Sequence, residues 1–75
     1  MEAAVARLSA LTSREREVLR ELVAGKQSKH IARLLNISPR TVEAHRANIM
    51  DRLGASSFAE VIVLAIQAGE TLGLR

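Results

Sequence analysis

The chain has no cysteine, tryptophan or tyrosine, and it holds a single phenylalanine, Phe58, and a single proline, Pro39. Without thiols there is neither a disulfide framework nor a thiolate metal site, and His30 and His45 stand too far apart to make a ligand set. No metal or cofactor is expected. No apolar run approaches the roughly 18 residues of a membrane span, and the first residues lack the charged, apolar and small-residue order of a signal peptide. A cytoplasmic protein with no membrane partner fits this. There is also no glycine-rich phosphate loop, nucleophile or acid–base pair, so the sequence gives no support for an enzyme. Its 75 residues make one small domain with a modest core.

What is present is concentrated between Ser28 and Val42. Ser28-Lys29-His30-Ile31-Ala32-Arg33-Leu34-Leu35 reads as one helix, and Ser38-Pro39-Arg40-Thr41-Val42 as the start of another. Asn36 suits the left-handed conformation that a very short turn demands, and Ala32 is small enough for two helices to approach closely. Ser38 is placed to cap the second helix and Pro39 to open it. Ile31, Leu34, Leu35, Ile37 and Val42 are expected to close the corner, leaving Lys29, Arg33 and Arg40 outside. This is the grammar of a helix-turn-helix.

Charge agrees with that location. Residues 1–25 hold four Arg against four Glu, residues 26–52 hold six Lys or Arg against Glu43 and Asp51, and residues 53–75 hold Arg75 against Glu60 and Glu70. The three segments therefore carry 0, +4 and −1, which sum to the net +3. A polyanion should meet the middle segment.

The rest of the chain supplies flanking helices. Residues 1–8 are rich in alanine and read as a linker or a frayed leading turn; residues 9–75 form the domain. Thr12-Ser13-Arg14-Glu15 is a capping-box pattern, and Val18, Leu19, Leu22 and Val23 form an apolar stripe ending near Gly25. The helix opened by Pro39 runs to Leu53, with Gly54 as its stop. Val42, Ile49 and Leu53 define its core line, flanked by His45 and Met50, while Arg40, Glu43, Ala44, Ala47 and Asp51 lie opposite. The two alanines on that outer face allow it to lie deep in a groove. A last helix opens with the capping pattern Ser57-Phe58-Ala59-Glu60 and is expected to end at Gly69. It turns Phe58, Val61, Ile62 and Ala65 inward, yet Val63, Leu64, Ile66 and Ala68 leave apolar surface elsewhere. That excess is read either as a helix lying across the bundle or as a partner surface.

Leu11 to Leu19, Val23-Ala24-Gly25, Lys29-His30-Ile31-Ala32, Ile37 to Arg46 and Leu53 resemble the LuxR-type helix-turn-helix domain that ends many bacterial response regulators. Within it, Ser38 to Glu43 with His45-Arg46-Ala47-Asn48 looks most like the FixJ branch, a two-component regulator group. The resemblance implies an all-α, four-helix domain whose third helix enters the major groove and whose fourth dimerises. Gln27 and Ser28 stand where Ser or Thr and Asn are usual, His30 replaces the usual Glu, and Glu43 occupies a position where many relatives carry Lys. Residues 1–7 read only as linker. The chain is therefore expected to be the effector domain of a longer regulator or a free-standing one of the short spore-regulator kind.

Candidate DNA contacts follow from side-chain chemistry and placement. Arg40 can span to a phosphate or a guanine edge, and Glu43 can accept from a cytosine amino group or pair with Arg40 or Arg46. Ala44 and Ala47 offer methyl contact or room. Ser28, Lys29, Ser38 and Thr41 sit at helix starts, where phosphates bind, with capping as the alternative for Ser38. Arg46 is read either as a partner of the DNA backbone or of a glutamate in the first helix. His45 borders the core and is read as packed. Val63, Leu64 and Gln67 are the candidate dimer contacts, and RNA polymerase is a further candidate partner. The leading function is thus sequence-specific binding of duplex DNA as a homodimer in transcription control. A sigma-factor-like promoter reader and a helical protein-interaction adaptor stand as alternatives.

Overall fold

The computed structural model describes the backbone of residues 2–72 and the side chains of residues 6–67. Five helices follow one another: α1 (Glu2–Ser9), α2 (Ser13–Val23), α3 (Ser28–Leu35), α4 (Pro39–Leu53) and α5 (Phe58–Leu72). The four helices expected from sequence are α2 to α5. Helix α5 continues in its backbone through Gly69, the position expected to end it, to Leu72.

Local chemistry accounts for the boundaries. Thr12 caps α2 through a full capping box: its hydroxyl accepts the Glu15 N–H at 3.1 Å, and the Glu15 carboxylate accepts the Thr12 N–H at 2.9 Å. Ser38 caps α4 by accepting the Thr41 N–H at 3.1 Å, with Pro39 in the first turn. At α5 the pattern forms only in part. Ser57 accepts the Glu60 N–H at 3.3 Å, but the Glu60 carboxylate turns to the Ser56 N–H at 2.7 Å.

The corners after α2, α3 and α4 share one construction. Each has a left-handed residue, Gly25 (φ 89°), Asn36 (φ 57°) and Gly54 (φ 64°). Each is then closed by an N–H reaching back five residues: Lys26 to the Glu21 carbonyl, Ile37 to Ala32, and Ala55 to Met50. These 6→1 bonds satisfy carbonyls that a helix end leaves open.

Helix α4 is the hub and touches each of the other helices. Its Val42, Ile49 and Leu53 are buried, as the core line requires, and meet Val18, Leu19, Ile31, Val61 and Ala65. Two expectations change. The leading segment is helical, and Leu8 is fully buried with α1 laid against α5. Among the described side chains of α1, Leu8 is the anchor, and the wide apolar surface of α5 receives it. Leu34, expected to close the corner, is 52% exposed, whereas Leu35 and Ile37 pack against the core. Ile31 and Ala32 occupy the inward side of the short helix α3 and turn Leu34 outward.

The one buried charged side chain among the described residues is Glu15, at 3% exposure. Besides the cap, its carboxylate lies 3.2 Å from Arg52 Nε, which ties the start of α2 to the end of α4.

Candidate nucleic-acid interface

Helix α4 is held from behind by Val42, Ile49 and Leu53, so its opposite side is presented outward as a rigid face. Arg40, Glu43, Ala44, Ala47 and Asp51 are all exposed there, as the spacing predicts. Arg40 makes no ion pair among the described residues. The small side chains of Ala44 and Ala47 leave the middle of the face low, with longer groups at its ends.

The head of α3 borders this face. Gln27 stands at the cap position with extended backbone and makes no side-chain cap, so the first-turn N–H groups keep their polarity unmasked. Lys29 and Arg33, one turn apart, line a depression of about 310 Å³ with Ala32, Ile37 and Pro39. Lys29 is exposed and, like Arg33, forms no ion pair among the described residues. Arg33 was legible as an exterior charge, but its place beside Lys29 at the mouth of the corner depends on the angle between α3 and α4. The spacing of four on one helix was the available signal.

Other candidates are placed more specifically than sequence allowed. Ser38 Oγ and Thr41 Oγ1 lie 2.9 Å apart, so Ser38 serves as a cap while Thr41 is exposed beside it. Ser28 Oγ donates to the Glu43 carboxylate across the corner, a partner other than Arg40 and Arg46, the surface pairings read as the alternative to a base contact. Arg46 turns away from the exposed face: its guanidinium carbon lies 4.2 Å from the centroid of the Phe58 ring, joining α4 to α5 by a cation–π contact. The glutamates of α2, one of the two alternatives read for Arg46, are paired elsewhere: Glu15 with Arg52, Glu17 with Arg14 and Glu21 with Lys26.

On α5, Val63 and Ile66 are 52% and 61% exposed, and Gln67 is exposed between turns. Leu64 differs from its assignment as a free surface residue, since it is half-buried and packs on the core. Ile66, named in sequence only as part of the apolar excess, is the larger exposed group. Among the described residues no cluster of three His, Cys, Asp or Glu is arranged to hold a metal ion, and no helix is long and apolar enough to cross a membrane.

A tight corner, an outward α4 whose Arg40 makes no ion pair among the described residues, and a basic α3 head make a helix-turn-helix domain with a candidate DNA-binding face. Residues 9–65 match the family described as bacterial regulatory proteins, luxR family, and the chain belongs to that family. It is 48% identical over 64 residues to the transcriptional regulatory protein FixJ of Bradyrhizobium diazoefficiens, an alignment covering 85% of this chain and 31% of that protein. It is 49% identical over 51 residues to the transcriptional regulatory protein UhpA of Escherichia coli, covering 68% of this chain and 26% of that one. The crystal structure of full-length FixJ from B. japonicum superposes with a TM-score of 0.81 at 44% identity, over 92% of this chain and 36% of that one. The chain thus spans about a third of the length of such relatives.

Proposed function

We propose that the domain reads duplex DNA with the outer face of α4 in the major groove, two copies pairing through α5 on two half-sites. The observation that carries this is the opposition on α4 of a buried line, Val42, Ile49 and Leu53, to an exposed face bearing two alanines and an Arg40 that makes no ion pair among the described residues. Arg40, Glu43, Ala44 and Ala47 meet base edges, while Lys29, Arg33, Thr41 and the uncapped start of α3 hold phosphates. In the whole protein the chain serves as the effector domain of a cytoplasmic two-component response regulator, with RNA polymerase as the partner of the DNA-bound form. The FixJ and UhpA likenesses support this wider reading.

Binding-site selection followed by titration of the selected duplex tests the reading. Arg40→Ala should weaken binding by about 1–3 kcal/mol, and Lys29→Ala should weaken it nearly equally for all sequences while reducing the salt slope by about 1. Unchanged affinity for Arg40→Ala at moderate salt removes Arg40 from the interface.

Pairing through α5 has its own readout. Val63→Glu should preserve the helical circular dichroism signal and the affinity for one half-site, but abolish cooperative occupancy of two. Cooperativity that survives this change and the companion Ile66→Glu would exclude the exposed face of α5 as the contact between copies.

A further inference from the structure

Glu43, exposed on the outer face of α4, has one of its carboxylate oxygens already engaged. Ser28, at the first position of α3, directs its hydroxyl hydrogen across the corner to Glu43 Oε2, although these residues are fifteen apart in the chain. A hydroxyl has one hydrogen to give. Directed to the carboxylate, it is withdrawn from a phosphate oxygen, which can only accept. With that hydrogen so directed, Lys29 and the backbone N–H groups beside it are the donors at the start of α3 left to meet a phosphate.

We infer that Ser28 is a positioning residue for base recognition: by fixing the Glu43 carboxylate it aims the remaining oxygen at an exposed base edge and so sets which base pair the domain prefers. The inference rests on the proposed docking of α4. Glu43 is exposed, and a free glutamate on a helix surface samples several rotamers. A hydrogen bond anchored on the neighbouring helix selects among them. The carboxylate accepts only, so the base edge it suits is a donor, the exocyclic amino group of cytosine or adenine, and it disfavours the acceptor edges of guanine and the O4 of thymine. Arg40 and Arg46 do not take up this carboxylate: the first makes no ion pair among the described residues, and the second lies over Phe58.

The test compares the parent domain with Ser28→Ala, Ser28→Thr, Glu43→Gln and the Ser28→Ala/Glu43→Gln double variant. Each is carried through binding-site selection and then titrated against duplexes changed one base pair at a time. Ser28→Ala should lose about tenfold of discrimination at the same base pair that Glu43→Gln affects. Ser28→Thr, which keeps the donor, should retain it, and the double variant should be no worse than Glu43→Gln alone. A loss of affinity in Ser28→Ala that is equal for all sequences returns the hydroxyl to a phosphate and overturns the inference, as does an unchanged preference when Glu43→Gln alters it. Three-bond Hα–Hβ couplings of Glu43 in the free domain separate the two layers, with one rotamer expected in the parent and averaging in Ser28→Ala. If Glu43→Gln leaves the preference unmoved, both readings fall. Averaged couplings in Ser28→Ala then place the failure in base reading, and unaltered couplings place it in the contact as well.

Discussion

Leu8→Ala is expected to lower the free energy of unfolding by about 2–5 kcal/mol, measured by urea denaturation followed by circular dichroism. Leu8 is fully buried, so its truncation leaves a void between α1 and α5 as well as removing apolar contact. A domain of 75 residues has about 4–11 kcal/mol of stability in all, so the change removes a large part of it. Arg7→Ala, at an exposed neighbouring position, serves as the control and should shift stability by no more than about 0.5 kcal/mol. Equal, small effects of both changes would show that α1 is an appendage rather than a part of the cooperative unit. The position matters because the family match begins at residue 9, one residue beyond this anchor.

A second large effect is expected at Glu15. Glu15→Ala removes the acceptor of the Thr12 N–H, the partner of Arg52 and a buried side chain together, and should cost about 2–4 kcal/mol. Glu15→Gln keeps one oxygen to accept the Thr12 N–H but puts an NH2 donor where the other faced Arg52, so it loses the ion pair and its hydrogen bond while keeping the cap. Its cost should stay within about 1 kcal/mol, because the Arg52 side chain is 47% exposed and solvent screens the pair. The difference between the two variants in thermal or urea unfolding therefore reports the cap rather than the ion pair. Equal losses for Ala and Gln would assign the stabilisation to charge and contradict that division.

The features that sequence made legible are the ones decided within a few residues. Thr12 with Glu15, Ser38 with Pro39, Asn36 and Gly54 each solve a local hydrogen-bonding or backbone problem, and the structure uses each of them there. The line Val42, Ile49 and Leu53 was equally readable, since helical periodicity alone brings those side chains together. Partnerships between distant elements were not. Leu8 looked insufficient by itself because its receiving surface lies on α5. Leu34 looked like a core residue because apolarity does not say which side of an eight-residue helix faces inward. Arg46 had several possible partners at similar reach, and only the crossing of α4 and α5 selects Phe58. The contact from Ser28 to Glu43 depends on the same kind of information, the angle at which two helices meet.

The pairing of α1 with α5 joins the two ends of the described chain, whereas the corners from α2 to α4 each close within six residues. Loop-closure entropy separates these two kinds of contact in time. The corner can assemble while the ends are still free, and docking of α1 on α5 completes the fold. In the native protein the same asymmetry sets the order of opening, so amide exchange through a sub-global fluctuation should reach α1 and α5 before the α3–α4 corner. Such an opening would uncover Val61 and Ala65, which share one buried cluster with Ile31 of α3 and Val42 of α4. Because that cluster is shared, loosening the α1–α5 pair, as Leu8→Ala does, should speed amide exchange first in those two helices and then lower the stability of the corner proposed to meet DNA.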